Sequence, residues 1–141
     1  MIDIDNKTDL QIDETLLERI TAALTEKDVE LIITDNDEIQ TINKKHRNVD
    51  KPTDVLSFPY EDMPYAPLGS IVISQDMVLQ KAKEFGHTPI DEFTLLYIHG
   101  LLHLLGYDHE CDKGEMRKKE EELIGLFSLP KSLIVRTEGD V

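Results

Sequence analysis

Residues 95–109 read LLYIHGLLHLLGYDH, and this stretch organises everything around it. From Leu95 to Leu105 it is apolar on nearly every side, so as a helix it must lie buried inside the fold. Two polar residues break that surface, His99 and His103. Spaced four apart, they share one helical face with β-carbons roughly 5–6 Å apart, a separation that suits two imidazoles closing on one ion at about 2.0–2.1 Å each. Gly106 follows, able to adopt the positive φ that ends a helix, and the chain is then free to return His109 as a third ligand. Buried imidazoles need partners, and one shared ion satisfies all three. Three nitrogen ligands without a fourth side chain match a catalytic zinc site, in which water keeps the open position.

The frame His-x-x-x-His-x-x-Gly-x-x-His is that of a metzincin, but zinc proteases carry their general base, a glutamate, directly after the first histidine. Here that position is Gly100, which moves no proton. Proteolysis is disfavoured.

Outward from this helix the chain alternates short strands and helices. Residues 1–5 alternate apolar and acidic and predict a first strand. Asp13 caps a helix to about residue 25, with Leu16, Leu17, Ile20, Ala23 and Leu24 facing inward. Residues 29–34, VELIIT, predict a second strand, and Asp35 or Asp37 opens a helix carrying Ile39 and Ile42 into Lys44-Lys45-His46-Arg47, before a loop punctuated by Pro52. Residues 54–59 read as a third strand, stopped by Pro59, and residues 60–67 as a loop. Residues 71–74 predict a fourth strand whose Ser74 caps a helix with Val78, Ala82 and Phe85 inward, ended by Gly86. Thr88-Pro89 starts the histidine helix, and a last helix spans about 112–127. The expectation is a small α+β fold in one domain over residues 1–141: about four strands in one mixed sheet, packed with helices, and a metal site on a helix and the following turn. The tail beyond about 135 is expected to fray. Strand order does not follow from this pattern.

The composition sets further bounds. At 141 residues with 40% hydrophobic content, the chain suits one core that buries about two-thirds of the unfolded surface. No run approaches the roughly 20 apolar residues that span a bilayer, so no membrane partner is expected. The first five residues carry no basic targeting region. The single cysteine, Cys111, excludes an internal disulfide, and no disulfide partner is expected. Together these predict a soluble protein of the reducing cytoplasm. The formal net charge of −14 runs against a nucleic-acid partner, because phosphate binding is driven by Lys and Arg. Local patches compensate: Lys44, Lys45, Arg47 and Lys51 face only Asp50 in eight residues, and Lys113, Arg117, Lys118 and Lys119 face only Glu115. Either run also reads as a plain solvated surface.

The run HGLLHLLGYDHE at 99–110, with NKKHRNVDKPTDVLSFP at 43–59 and LGSIVIS at 68–74, closely resembles the YbeY family of bacterial metal-dependent rRNA maturation endoribonucleases. The resemblance covers residues 1–127, with the pieces in the family's order and spacing. It implies that His99, His103 and His109 are the metal ligands and that Arg47 is the family's functional arginine, beside the metal and against RNA phosphate; Lys44 and Lys45, from the basic run at 44–51, are expected to add to the nucleic-acid contact. It also implies trimming of ribosomal RNA precursors, notably the 3′ end of small-subunit rRNA, ribosome quality control, and the small ribosomal subunit or its associated factors as partners. One departure stands out: relatives often carry Asp after the glycine of the fourth strand, where this chain has Ser70.

A phosphodiester fits these residues better than a peptide bond. One zinc ion per chain lowers the pKa of its water from about 15.7 toward about 7, which answers the missing glutamate. Arg47, always charged, can fork two donors onto phosphate oxygens and stabilise the charge that gathers in the transition state. Activation of the RNA's own 2′-hydroxyl is the other route. Cys111 reads as a fourth ligand or as a plain thiol. Asp108 and Asp112 read as partners of an outer imidazole nitrogen or as helix caps, and Asp54 and Ser57 as cleft lining or turn ends. His46 and His87 have no ligand spacing, and Glu115 and Glu120 to Glu122 read as a solvated face. Against the single-strand endoribonuclease stand two alternatives: a non-catalytic ribosome-associated metal protein, favoured by a fourth ligand, and a metal-dependent hydrolase of another substrate.

Overall fold

The computed structural model describes residues 1–108 and 113–130. In chain order the elements are β1 (Ile2–Asn6), α1 (Glu14–Leu24), β2 (Val29–Thr34), α2 (Asn36–Arg47), β3 (Val55–Pro59), β4 (Gly69–Ser74), α3 (Gln75–Phe85), α4 (Pro89–Leu104) and α5 (Glu115–Leu126). The strands form one sheet in the order β1-β2-β4-β3. β1, β2 and β4 run parallel, and β3 pairs antiparallel along the edge of β4. The architecture is α+β with a mixed four-stranded sheet, as the sequence pattern predicts.

Strand alternation divides the apolar residues between two layers. Ile2, Val29, Leu31, Ile33, Ile71 and Ile73 join Leu17 and Ile20 of α1, Val78 of α3 and Phe93, Tyr97, Ile98 and Leu101 of α4 in the main core. The other face is covered by α2, where Ile39 packs on Leu56 and Val72, with Ile32, Ile42 and Phe58 at the margin. α4 is the most deeply buried helix, with eleven of its sixteen residues buried, which accounts for its apolar character on nearly all sides. Its start follows the sequence: Thr88 accepts from the Asp91 amide, and Pro89 occupies the first turn.

The helix caps hold at Asp13, Asp35 and Ser74, each of which accepts an amide hydrogen from the first turn. Two inward assignments change. Ala23 is exposed and Thr21 takes the buried place on α1, because its hydroxyl bonds both Leu17 O (2.8 Å) and the Tyr97 hydroxyl (2.7 Å). Phe85 is 40% exposed, at the end of α3, with its ring stacked on His87. His87 in turn sets Nδ1 3.0 Å from the wholly buried Glu92 carboxylate, a pairing that its spacing does not announce. α5 begins at Glu115, after Gly114 at φ +99°. The tail beyond 135 lies outside the described residues.

Candidate active site

α4 packs against β3 and β4, and Gly100 sits at one of the close points of that crossing. A β-carbon there would lie 3.0 Å from Ile71 Cγ2, 3.1 Å from Ser57 Oγ and 3.2 Å from Val55 Cγ2. Ser57 also donates its hydroxyl to the Gly100 carbonyl at 3.0 Å. The position that carries a glutamate in zinc proteases is therefore packed against the sheet, with no room for that side chain.

One residue before and three after Gly100, His99 and His103 emerge on the same helical face. Their Nε2 atoms approach to 3.2 Å, with the rings edge to face at a centroid distance of 4.7 Å. Two ligands at 2.0–2.1 Å from one tetrahedral ion stand about 3.3–3.4 Å apart, so the observed pair spans the distance that a shared zinc requires. The donor set fits as well, since neutral imidazole nitrogens are ordinary zinc ligands. Among the described residues no group of three His, Cys, Asp or Glu side chains gathers as a metal site. His109, the third expected ligand, lies outside the described residues, as do Cys111 and Asp112.

Behind His99 stands a carboxylate that the sequence reading assigned to solvent. Glu120 Oε1 lies 2.9 Å from His99 Nδ1, and Glu120 is 5% exposed. It faces inward because α5 buries Met116, Glu120, Leu123 and Ile124, one helical face at spacings of four, three and one. A glutamate at an i+4 place within an apolar stripe was the available signal; the acidic run Glu120-Glu121-Glu122 obscured it.

A cleft of about 540 Å³ opens beside the two histidines, lined among others by Arg47, Thr53, Asp54, Ser57, Tyr107 and Asp108. Arg47 reaches it from the far side of the sheet, at the last turn of α2. The four basic positions 44–47 are helical, and Asn48 at φ +57° ends the helix. Asn43, 3% exposed, secures the following turn by donating its side-chain amide to Lys51 O at 3.0 Å. Lys44 and Lys45 share this turn and are exposed, but the cleft lining does not include them, and Lys44 Nζ stands 3.8 Å from Asp50. Asp54 lines the cleft while its carboxylate pairs with Lys81 at 3.2 Å and accepts the Val55 amide. Ser57 both lines the cleft and ties β3 to α4. His46 packs its ring on Phe58.

Ser70 bears on the family's acidic position. Gly69 and Ile71 face α4, where their neighbours are Leu104 and Gly100, so Ser70 between them points to the opposite face, in register with Glu30 and Phe58. An acid at that place faces away from α4 and its histidines, and Ser70 costs the cleft nothing. On that side the Glu30 carboxylate accepts from the Tyr60 hydroxyl at 2.7 Å and holds the phenol above its ordinary pKa.

Comparison with known proteins matches this arrangement to one family. The family model described as Endoribonuclease YbeY matches residues 2–128. A protein named endoribonuclease YbeY from Sulfurimonas denitrificans is 62% identical over 139 residues, covering 99% of this chain and all of the relative. Another of that name from Aliarcobacter butzleri is 64% identical over 140 residues, covering 96% of this chain and 99% of the relative. The solution structure of a Thermotoga maritima protein superposes with a TM-score of 0.58 at 31% identity, covering 94% of this chain and 95% of that one. With the family model spanning nearly the whole chain and two such relatives matched end to end, the chain belongs to the Endoribonuclease YbeY family.

Proposed function

We propose that this chain is a zinc-dependent, single-strand-specific endoribonuclease that matures ribosomal RNA in the cytoplasm, with the 3′ end of small-subunit rRNA as its principal substrate and ribosome quality control as its wider setting. The observation that carries the reading is the convergence of His99 Nε2 and His103 Nε2 at 3.2 Å beside a cleft that also receives Arg47. His99, His103 and His109 would hold the ion. When bound, zinc supplies Lewis-acid charge and an activated water, chemistry suited to a site whose base position is the crowded Gly100.

The residues of the chain do the rest. Arg47 binds a phosphate oxygen pair through its forked donors and stabilises the charge that develops as the phosphodiester opens. Asp54 is held by Lys81 and the Val55 amide, so it shapes the cleft wall. The cleft borders the edge strand β3, and its occupant in this reading is an extended single strand. Phosphates beyond the scissile one meet Lys44 and Lys45 outside the cleft, and the small ribosomal subunit or its associated factors present the strand. The acidity of the chain as a whole favours such presentation over unaided capture of RNA.

The test is cleavage of a precursor carrying the small-subunit 3′ end by the purified full chain, before and after chelation and with zinc restored. Cleavage that disappears on chelation and returns with zinc supports the reading. Cleavage indifferent to chelation overturns it.

A further inference from the structure

Glu120 is the one buried carboxylate in contact with either cleft histidine among the described residues. Burying it is unfavourable unless it is paired and hydrogen-bonded, and its hydrogen-bond partner among those residues is the His99 ring. A carboxylate accepts hydrogen bonds, so at 2.9 Å it selects the His99 tautomer that carries hydrogen on Nδ1. That tautomer leaves the Nε2 lone pair pointing at His103. α5, the helix that follows the histidine helix, thereby orients the ring and sets which nitrogen faces the cleft. The pair His87–Glu92 shows the same imidazole–carboxylate geometry at 3.0 Å, but there the ring stacks on Phe85 rather than meeting a second imidazole.

We infer that Glu120 is a positioning residue of the metal site: its Oε1 bond to His99 Nδ1 holds the ring in the Nδ1–H tautomer and raises the basicity of Nε2 as a ligand. This rests on the proposed reading of His99 and His103 as zinc ligands. A carboxylate in this relation to a liganding imidazole is worth roughly 10–100-fold in metal affinity.

Two readouts on the full chain test it. In the metal-free protein, long-range proton–nitrogen correlation spectra of the imidazoles report each tautomer, with His87 as the internal reference. Zinc titration against a competing chelator reports the affinity. Wild type is expected to show His99 as the Nδ1–H form. Glu120→Ala is expected to mix the two tautomers of His99, leave His87 unchanged and weaken zinc about 10–100-fold. Glu120→Gln, which preserves the volume and an acceptor oxygen, is expected to fall between them and carries the test if the alanine variant does not fold. Unchanged His99 tautomer and unchanged zinc affinity in the folded variants, with only the melting temperature lowered, would overturn the inference and leave the zinc reading standing. Wild type that takes up no zinc would overturn the zinc reading itself.

Discussion

The hydroxyl of Ser57 donates to the carbonyl oxygen of Gly100 at 3.0 Å, where α4 packs on the edge strand β3. The relationship links fold and chemistry, because the residue between the seam and the histidine face of the helix has no side chain. Replacing Gly100 with the protease-like glutamate tests whether the missing base is a simple omission or a packing requirement. Gly100→Glu is expected to destabilise the protein by about 1–3 kcal/mol through overpacking, as read by urea unfolding, and to yield no peptide cleavage. A stable variant with measurable peptidase activity would contradict the packing account.

Arg47 lines the cleft, and Lys44 and Lys45 do not, although all three lie in one helical turn. Arg47→Glu is expected to reduce RNA cleavage by at least about 10²-fold, the scale for losing one transition-state donor, with zinc content and melting temperature unchanged. Lys44→Ala with Lys45→Ala is expected to raise KM and flatten its salt dependence, with kcat within about twofold, as phosphate contacts away from the reacting centre do. Equal kcat losses from the two replacements would remove the distinction drawn between them.

Tyr97 is fully buried against Thr21, and burial pushes its phenol far above the ordinary value near 10. Below about pH 10 both folded and unfolded phenols are protonated and the pair contributes its full stability. Above that the unfolded phenol ionises while the folded one does not, so stability is lost as pH rises. Urea unfolding between pH 8 and 11.5 should show a falling stability whose slope is shallower in Tyr97→Phe. At pH 8 that variant should be less stable by about 1 kcal/mol, the worth of one hydrogen bond. Parallel slopes for the two proteins would contradict this account.

Local signals in the chain were enough for most of the fold. The capping side chains at Asp13, Ser74 and Thr88 bond to amides one turn on, and β2 occupies the six residues that its apolar run marks. The order β1-β2-β4-β3 was not legible, since it depends on pairings between distant segments and on α2 crossing to the other face. Thr21 is buried and Ala23 exposed because a buried hydroxyl found the Tyr97 partner on another helix, which periodicity does not register. The two cleft histidines were visible from their spacing on α4, and the resemblance picked out Arg47. Glu120 was not, because its role exists only once α5 packs against α4.

The central claim is that His99 and His103 hold the ion on which RNA cleavage depends. Its most direct test measures bound zinc and cleavage of single-stranded RNA on one preparation each of wild type, His103→Ala and Arg47→Glu. The account predicts one zinc per chain in wild type and Arg47→Glu, little in His103→Ala, and cleavage in wild type alone. Full zinc and full cleavage in His103→Ala would contradict it.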